Sequence, residues 1–403
     1  MAELKRNTVP SEKPAAAEKA RVSGMRGLLA CSRSTKRNLV TYTMVVLAYV
    51  VVQVLIGTKV ISFALAGQMV PICVYIVMAV SLNLVVGISG ELSLGHAGFM
   101  SVGAFAGVVV MALLAPLVPD TGVRLVLTMI IAGVLAGLVG VGVGIPVMRL
   151  RGDYLAIVTL AFGEIIKNVL NNLYVGIDKN GLHVSLQSTK ALGMEGGALL
   201  INGPQGASGI TKASTFFMGL ILVLFCLFVV LNLIHSRSGR AIMAIRDNRI
   251  AAESVGISTT KYRLMAFAVS AALAGMAGAL YAMNFSSIVP KKFDFNLSIM
   301  ILVFVVLGGM GNVRGSIISA AVLTVLPEAL RFLADWRMLL YAVVLIFAML
   351  LGNNEQLKAW RERMLTRLRL ERRRAVAAQT GSQAAALQAA VAGLQAKEGD
   401  AHE

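Results

Sequence analysis

The sequence predicts an all-α polytopic membrane protein of about ten transmembrane helices, some of them interrupted, with both termini cytoplasmic. Three observations carry this. Only 14% of the 403 residues are charged and 57% are hydrophobic, for a mean hydropathy of +0.78. A soluble domain has about a quarter of its residues charged and needs that polar surface to stay in water. The apolar residues fall in runs close to the ~20 residues that cross ~30 Å of hydrocarbon. The basic residues gather in two tails and one internal segment, as Lys and Arg do in cytoplasmic loops.

The runs lie at 39–57, 64–87, 98–118, 124–148, 155–175, 214–235, 264–286, 298–312, 315–333 and 337–352. Two are less regular. The run from Ser298 is short before Gly308-Gly309-Met310-Gly311, and the run from 315 carries Pro327 and Glu328 near its end. Residues 1–38 hold nine Lys/Arg against three Glu. No apolar stretch of signal-peptide length precedes Leu39, so this segment is expected to be a cytoplasmic tail. Residues 39–352 form the transmembrane domain. Within it, 236–263 holds six basic residues (Arg237, Arg240, Arg246, Arg249, Lys261, Arg263), whereas 176–213 holds only Lys179, Lys190 and Lys212. The first is expected inside the cell and the second outside. An even number of spans satisfies both. Residues 353–403 form a second cytoplasmic tail, basic from Lys358 to Arg374 and then Ala/Gln-rich. Trp360, Met364, Leu365 and Leu368 are spaced for a helix that either lies on anionic headgroups or is solvated.

The net charge of +17 does not point to nucleic acid, because the positive charge sits in two tails and one internal loop with few aromatic residues beside it. Cys31, Cys73 and Cys226 form no C-x-x-C pair. The phosphate-binding G-x-x-x-x-G-K-[ST] loop is absent, as are H-E-x-x-H and G-x-S-x-G. His96, His183, His235 and His402 are far apart, and no metal-ligand spacing is found. No enzyme chemistry and no cofactor of its own are expected of this chain.

Four segments remain as sites. Gly87–Phe99 places Glu91, Ser93 and His96 between two apolar runs. Its glycines make continuous helix costly, at ~1 kcal/mol each relative to Ala. It reads either as a broken helix lining a path, with free backbone donors near a solute, or as a polar loop at the cytoplasmic surface. Glu164 and Lys167 share a helix face in the run from Leu155, where a charge is a candidate for function; a gating charge and a structural pair both fit. Gly308–Gly315 is a second glycine-rich interruption, with Arg314 either at a gate or on the inner face. Ser238–Thr260 reads as two short helices. Ser238 is expected to cap the first and Asp247 the second, with Gly256 at the left-handed position past its end. Ile242, Met243, Ile245, Ile250 and Val255 then give a mixed apolar face, suited to docking a cytoplasmic partner or to packing on the chain's own membrane domain. Ala272–Tyr281 is dense in small residues, as at close helix crossings.

These motifs resemble those of LivM-type permeases, the membrane subunits of ABC importers for branched-chain amino acids. Ser81–Phe99 is similar to the family's first signature and Leu150–Glu164 to its second. Gly203–Ile210 is similar to its external G-P-x-G-x-x-G-I stretch, Ser236–Gly256 to its coupling loop and Leu307–Gly315 to its late L-G-G-M-G element. The resemblance covers about 60–350 and leaves both tails outside. It implies a heteromeric importer in the bacterial inner membrane. This chain would pair with a second, related permease subunit. Two cytoplasmic ATPase subunits, which hydrolyse the ATP, would dock on 236–256, and a periplasmic binding protein would deliver the solute. Arg240, Ala241, Arg246, Ala251, Ala252, Glu253 and Gly256 would couple to the ATPases. Glu91, Ser93, His96 and Glu164 would line or gate the path. Related permeases carry urea or short amides, which leaves the solute open. An ion-coupled secondary transporter is the other class considered; it has no use for the coupling-like loop, and Glu164 would be its sole mid-span carboxylate.

Overall fold

A computed structural model describes residues 33–58, 63–150, 152–178, 181–194, 197–330, 336, 339 and 342–346. Most of the expected tails, and all of the run 337–352 beyond those few residues, lie outside the described residues. The chain divides into two compact units, Met1–Glu328 and Ala329–Glu403. In the second unit, 342–346 are helical.

The first unit is a helical bundle. Its helices are α1 (Arg33–Gly57), α2 (Phe63–Gly67), α3 (Met69–Asn83), α4 (His96–Leu113), α5 (Thr121–Val147), α6 (Asp153–Asn171), α7 (Phe216–His235), α8 (Arg237–Asp247), α9 (Arg249–Ser254), α10 (Thr259–Ala282), α11 (Phe295–Gly308) and α12 (Val313–Ala329). Among the described residues six stretches are long and apolar enough to cross a membrane: Asn38–Gly57, Met69–Ser89, His96–Leu113, Thr121–Val147, Phe216–His235 and Thr259–Ala282. The expected count of about ten is therefore not reached by these criteria. The reasons are local. The 19-residue α6 carries Asp153, Glu164 and Lys167, α11 has 14 residues, and α12 has 17.

The core lies where α3, α4, α5 and α10 meet. The small residues of 272–281 let α10 pass between two neighbours at backbone distance. A Cβ at Gly278 would overlap the Met100 carbonyl of α4, and one at Gly275 would overlap Ala136 of α5. Such approaches are how helices gain dispersion contact where lipid offers no hydrophobic drive. Phe99 and Phe267 close the gap edge to face, with centroids 5.3 Å apart.

The segment 176–213, expected as an external loop, contributes most of an antiparallel five-stranded sheet of order β2-β1-β3-β4-β5. Its strands are β1 (Tyr174–Asp178), β2 (Gly181–Ser185), β3 (Ala198–Asn202), β4 (Ala207–Ser208) and β5 (Ser287–Ile288). β1 follows α6, β4 precedes α7 and β5 follows α10, so the sheet caps one end of the bundle. The opposite end holds 90–95, Arg149, α8, α9 and the turn at 309–312. There stand Arg237, Arg240, Arg246, Arg249, Lys261, Arg263 and Arg314. By the positive-inside rule this is the cytoplasmic end.

Candidate functional site

The site is built on the cytoplasmic end of α3. The helix does not stop at Asn83 but widens into a π-helix over Leu84–Ser89. Met69–Ser89 is 21 residues, about 31 Å at ~1.5 Å per residue, and so a full span. The interruption thus follows a full-length span at the basic end of the bundle, and Glu91, Ser93 and His96 within it are buried. Gly90 turns the chain with φ +78°, and the Glu91 amide closes the turn on the Val85 carbonyl at 3.1 Å.

Glu91 then points inward and pairs with Arg263 at the start of α10; both side chains are 8% exposed. The Arg263 guanidinium also reaches the Met148 carbonyl at the end of α5 (3.4 Å). One ion pair therefore ties the α3–α4 turn, α5 and α10 together. Leaving either charge alone in so dry a place is costly.

The rest of the loop is held by single polar ties. The His96 ring contacts the Ser81 hydroxyl through Nε2 at 2.8 Å. The Leu94 amide donates to Thr159 of α6 (3.1 Å), and the Ala97 amide to Ser298 of α11 (3.1 Å). Ser93 is 1% exposed, and its hydroxyl, like Nδ2 of Asn83, has no hydrogen-bond partner among the described residues. Glu164 stands apart. It pairs with Lys167 one turn along α6, and its side chain is 37% exposed. The structure thus gathers Glu91, Ser93 and His96 in one buried loop and leaves Glu164 out of it.

The two glycine-rich interruptions meet. The Gly311 amide, at φ +80°, donates to Oδ1 of Asn83 at 2.8 Å. A Cβ on Gly87 would strike both groups, so this contact admits only glycine.

The segment 236–256, expected from sequence to couple to a partner, lies against this assembly. α8 starts at Ser236, whose hydroxyl accepts from the Gly239 amide (3.0 Å), and α9 at Asn248, whose Oδ1 accepts from the Ala251 amide (3.0 Å). The expected caps, Ser238 and Asp247, are therefore displaced by two residues and by one. Both runs offer neighbouring capping residues, and tertiary packing chooses between them. The end at Gly256 is as expected. It has φ +82°, and the Gly256 and Ile257 amides return to the Glu253 and Ala252 carbonyls at 3.0 and 3.1 Å, which is a Schellman end. Glu253 also binds Arg249 (2.9 Å) and the Thr259 hydroxyl (3.0 Å), joining α9 to α10.

The apolar face of this segment is split. Ile242 is 1% exposed and packs with Leu84, Ile88 and Ala266, with Met243 at the edge. Ile245 is buried as well. Ile250 and Val255, by contrast, are 79% and 75% exposed. The packing reading holds for α8, while Ile250 and Val255 are left uncovered by the described residues. Of the coupling candidates Arg240, Arg246, Ala251, Glu253 and Gly256 are exposed, Ala241 is half-buried and Ala252 is buried. Arg240 donates to the His235 carbonyl (3.1 Å). Arg246 reaches furthest: Nη1 donates to the Gly87 carbonyl of the π-helix at 3.0 Å, across 159 residues, while Nε and Nη2 bind Asp247. Its stem covers Gly90, where a Cβ would lie 2.6 Å from Cγ. Glu91, Asp153, Arg246, Arg249 and Arg263 line a polar cavity of about 390 Å³ between the segment and the turn.

Sequence reasoning missed Arg263 as the partner of Glu91, and Asn83, Thr159 and Ser298 as anchors. A polar residue facing the interior of an apolar run was the available signal. Its partner was not, because each partner belongs to a distant helix.

Among known proteins, the family described as branched-chain amino acid transport system / permease component matches residues 64–350. The high-affinity branched-chain amino acid transport system permease protein LivM of Escherichia coli (strain K12) is 36% identical over 287 residues, which is 69% of this chain and 66% of that protein. LivH of the same organism, the permease protein of a high-affinity branched-chain amino acid transport system, is 24% identical over 257 residues, 64% of this chain and 81% of LivH. A probable LivM of Methanocaldococcus jannaschii is 27% identical over 196 residues, 47% of this chain and 52% of that protein. The chain thus spans just under two thirds of the length of the Escherichia coli LivM and about half of the Methanocaldococcus jannaschii one, and no solved structure matches it. The motifs read from the sequence and this match over most of the chain agree: the chain belongs to the family of branched-chain amino acid transport system permease components.

Proposed function

We propose that the chain is the membrane-spanning permease subunit of an ATP-driven importer and forms half of the path for branched-chain, or other hydrophobic, amino acids across the bacterial inner membrane. The observation that carries this is the α8–α9 segment. One of its helices is rooted in the membrane domain through Ile242, Ile245 and Arg246, and the other presents Ile250 and Val255 to the cytoplasm. A lever needs both a root and a handle. The chain has no nucleotide loop, so ATP is bound and hydrolysed by two partner ATPases that grip α9.

A second, related permease subunit completes the path. LivH, a relative of this chain by sequence, is the kind of protein that fits that place. A binding protein delivers solute at the sheet-capped end. Movement of α9 reaches α8, then through Arg246 the π-helix of α3, and through Glu91–Arg263 the starts of α4 and α10. Ser93, buried with a hydroxyl unpartnered among the described residues, would meet a solute as this turn opens, since such groups call for a partner. The names of the relatives favour branched-chain amino acids over urea or short amides.

The test is to purify the chain with its partner subunits, reconstitute them and measure ATP hydrolysis and uptake with leucine or urea. Stimulation by leucine but not urea is expected. Uptake by this chain alone, driven by an ion gradient, would overturn the reading.

A further inference from the structure

Two helices of the bundle turn very different faces outward. α5 exposes Ile130, Val134 and Leu138, and from Leu127 to Ile145 it carries no charged or amide side chain. That is a face for lipid tails. α6 exposes a mixed face. It runs from the basic end, where Gly152 and Asp153 line the polar cavity beside Arg246, to β1 of the sheet. Its 19 residues cover about 28 Å at ~1.5 Å per residue, close to the ~30 Å hydrocarbon core.

Tyr154, Ile157, Ala161, Ile165 and Asn168 follow one another along α6 at steps of three and four, and all are exposed among the described residues. They form one stripe along the helix. Ile157 and Ile165 are 59% and 54% exposed. Glu164 stands beside the middle of the stripe, between Ala161 and Asn168, partly exposed and paired with Lys167. The opposite side of α6, with Leu155, Ala156 and Thr159, is buried. It holds the turn after Glu91. Thr159 accepts the Leu94 amide, and a Cβ on Gly95 would overlap the Thr159 carbonyl.

We infer that the exposed stripe of α6 is the seam on which the second permease subunit packs, with Ala161 at the crossing of two helices. The inference deepens the reading of the chain as one half of a two-permease importer and rests on it. The chemistry of the stripe selects the occupant. Lipid tails give a carboxylate and an amide nothing to bind. A soluble partner does not reach along a face as deep as the hydrocarbon. Ile157 and Ile165 gain nothing from an open water channel, but they bury well against another helix. A membrane helix with a small residue at Ala161 and hydroxyl or amide side chains level with Glu164 and Asn168 satisfies both parts of the stripe. A second copy of this chain in the same membrane orientation would bring its own Glu164 to the same depth, like charge against like charge. A related but distinct subunit avoids this. α6 is then the wall between that subunit and the buried turn carrying Ser93 and His96.

The test uses the full chain, tagged, co-expressed with the ATPases and the LivH-like permease of its host and purified in mild detergent. Ala161→Trp, at an exposed position, should lower the copurified permease about tenfold, as a wedge in a close crossing does. Its helical circular dichroism and unfolding temperature should stay those of the wild type. Leu138→Trp on α5 should leave the copurified permease unchanged. A nitroxide label on Ile165→Cys, with Cys31, Cys73 and Cys226 replaced by Ala, is the second measurement. It should be open to oxygen in the chain alone in lipid nanodiscs and closed in the complex. The same label on Leu138→Cys should be open in both. Wild-type copurification by folded Ala161→Trp would overturn the seam. So would an Ile165 label open in the complex, which gives the face to lipid. A label closed already in the chain alone would give the face to a second copy or to another segment of the chain, and would also overturn it. A wild type that purifies without the second permease would overturn the importer reading itself. The two failures are distinguishable, since in the first the wild type still holds the permease.

Discussion

α8 and α9 lie side by side in the sequence and have similar composition, yet they do opposite things. α8 turns Ile242 and Ile245 into the bundle beneath the π-helix, whereas α9 turns Ile250 and Val255 out. The break between them, at Asn248 with extended backbone, makes this possible. A single continuous helix would carry Ile250 only about 80° around from Ile242, too near the buried face to turn fully out. In the proposed importer a transmission element has to be fixed on one side and available on the other, and this break would divide the two tasks between two short helices.

The strongest way to break this arrangement is to remove its anchor. Arg263→Met leaves Glu91 charged and buried without a partner, which is expected to cost about 3–5 kcal/mol, read as a large fall in unfolding temperature in detergent. Adding Glu91→Leu should recover most of it, because apolar residues of similar volume replace a buried pair at little cost. A double variant as unstable as the single would show that the pair is not what ties α10 to the turn. Next comes the direct comparison of the two faces. Ile242→Ala should lose about 2–4 kcal/mol of stability. Ile250→Ala should lose under about 0.5 kcal/mol, yet sharply weaken binding of the ATPases. Equal stability losses would erase the distinction between root and handle.

Gly256 tests the handle alone. A Cβ there meets nothing within 4 Å, so Gly256→Val is strained only through its φ of +82°, at about 1–2 kcal/mol. The end of α9 should shift, ATP hydrolysis should persist and uptake should fall. Normal coupling in this variant would reduce the Schellman end to packing. This glycine was legible from sequence because its signal is local: a short amphipathic stretch, then a residue able to adopt positive φ. The membrane class was legible for the same kind of reason, since run length is a property of segments. The partner of Glu91 was not, because Arg263 lies near the start of another helix, at the far side of α4 to α9 in the chain. Nor was the split between Ile242 and Ile250, since composition gives an apolar face without saying which neighbour covers it. The sheet escaped because its strands are two to five residues long and paired across loops, with β5 arriving from beyond α10.

The smallest effect is expected at Glu164, which contrasts with Glu91 as an exposed charge does with a buried one. Its side chain is 37% exposed and that of Lys167 18%, and they pair across one turn near the middle of the 19-residue α6. A carboxylate at that depth facing lipid would be expensive to hold, and its loss would leave Lys167 unpaired in hydrocarbon. A carboxylate facing a watered path or a polar partner surface is screened instead, and such a pair contributes about 0–1 kcal/mol. Glu164→Gln is therefore expected to move stability by less than about 1 kcal/mol while slowing solute uptake severalfold. A large fall in unfolding temperature would put the pair against lipid. Unchanged uptake, with an unchanged pH profile, would remove Glu164 from the path and leave, of the candidates named from sequence, the buried turn around Glu91, Ser93 and His96.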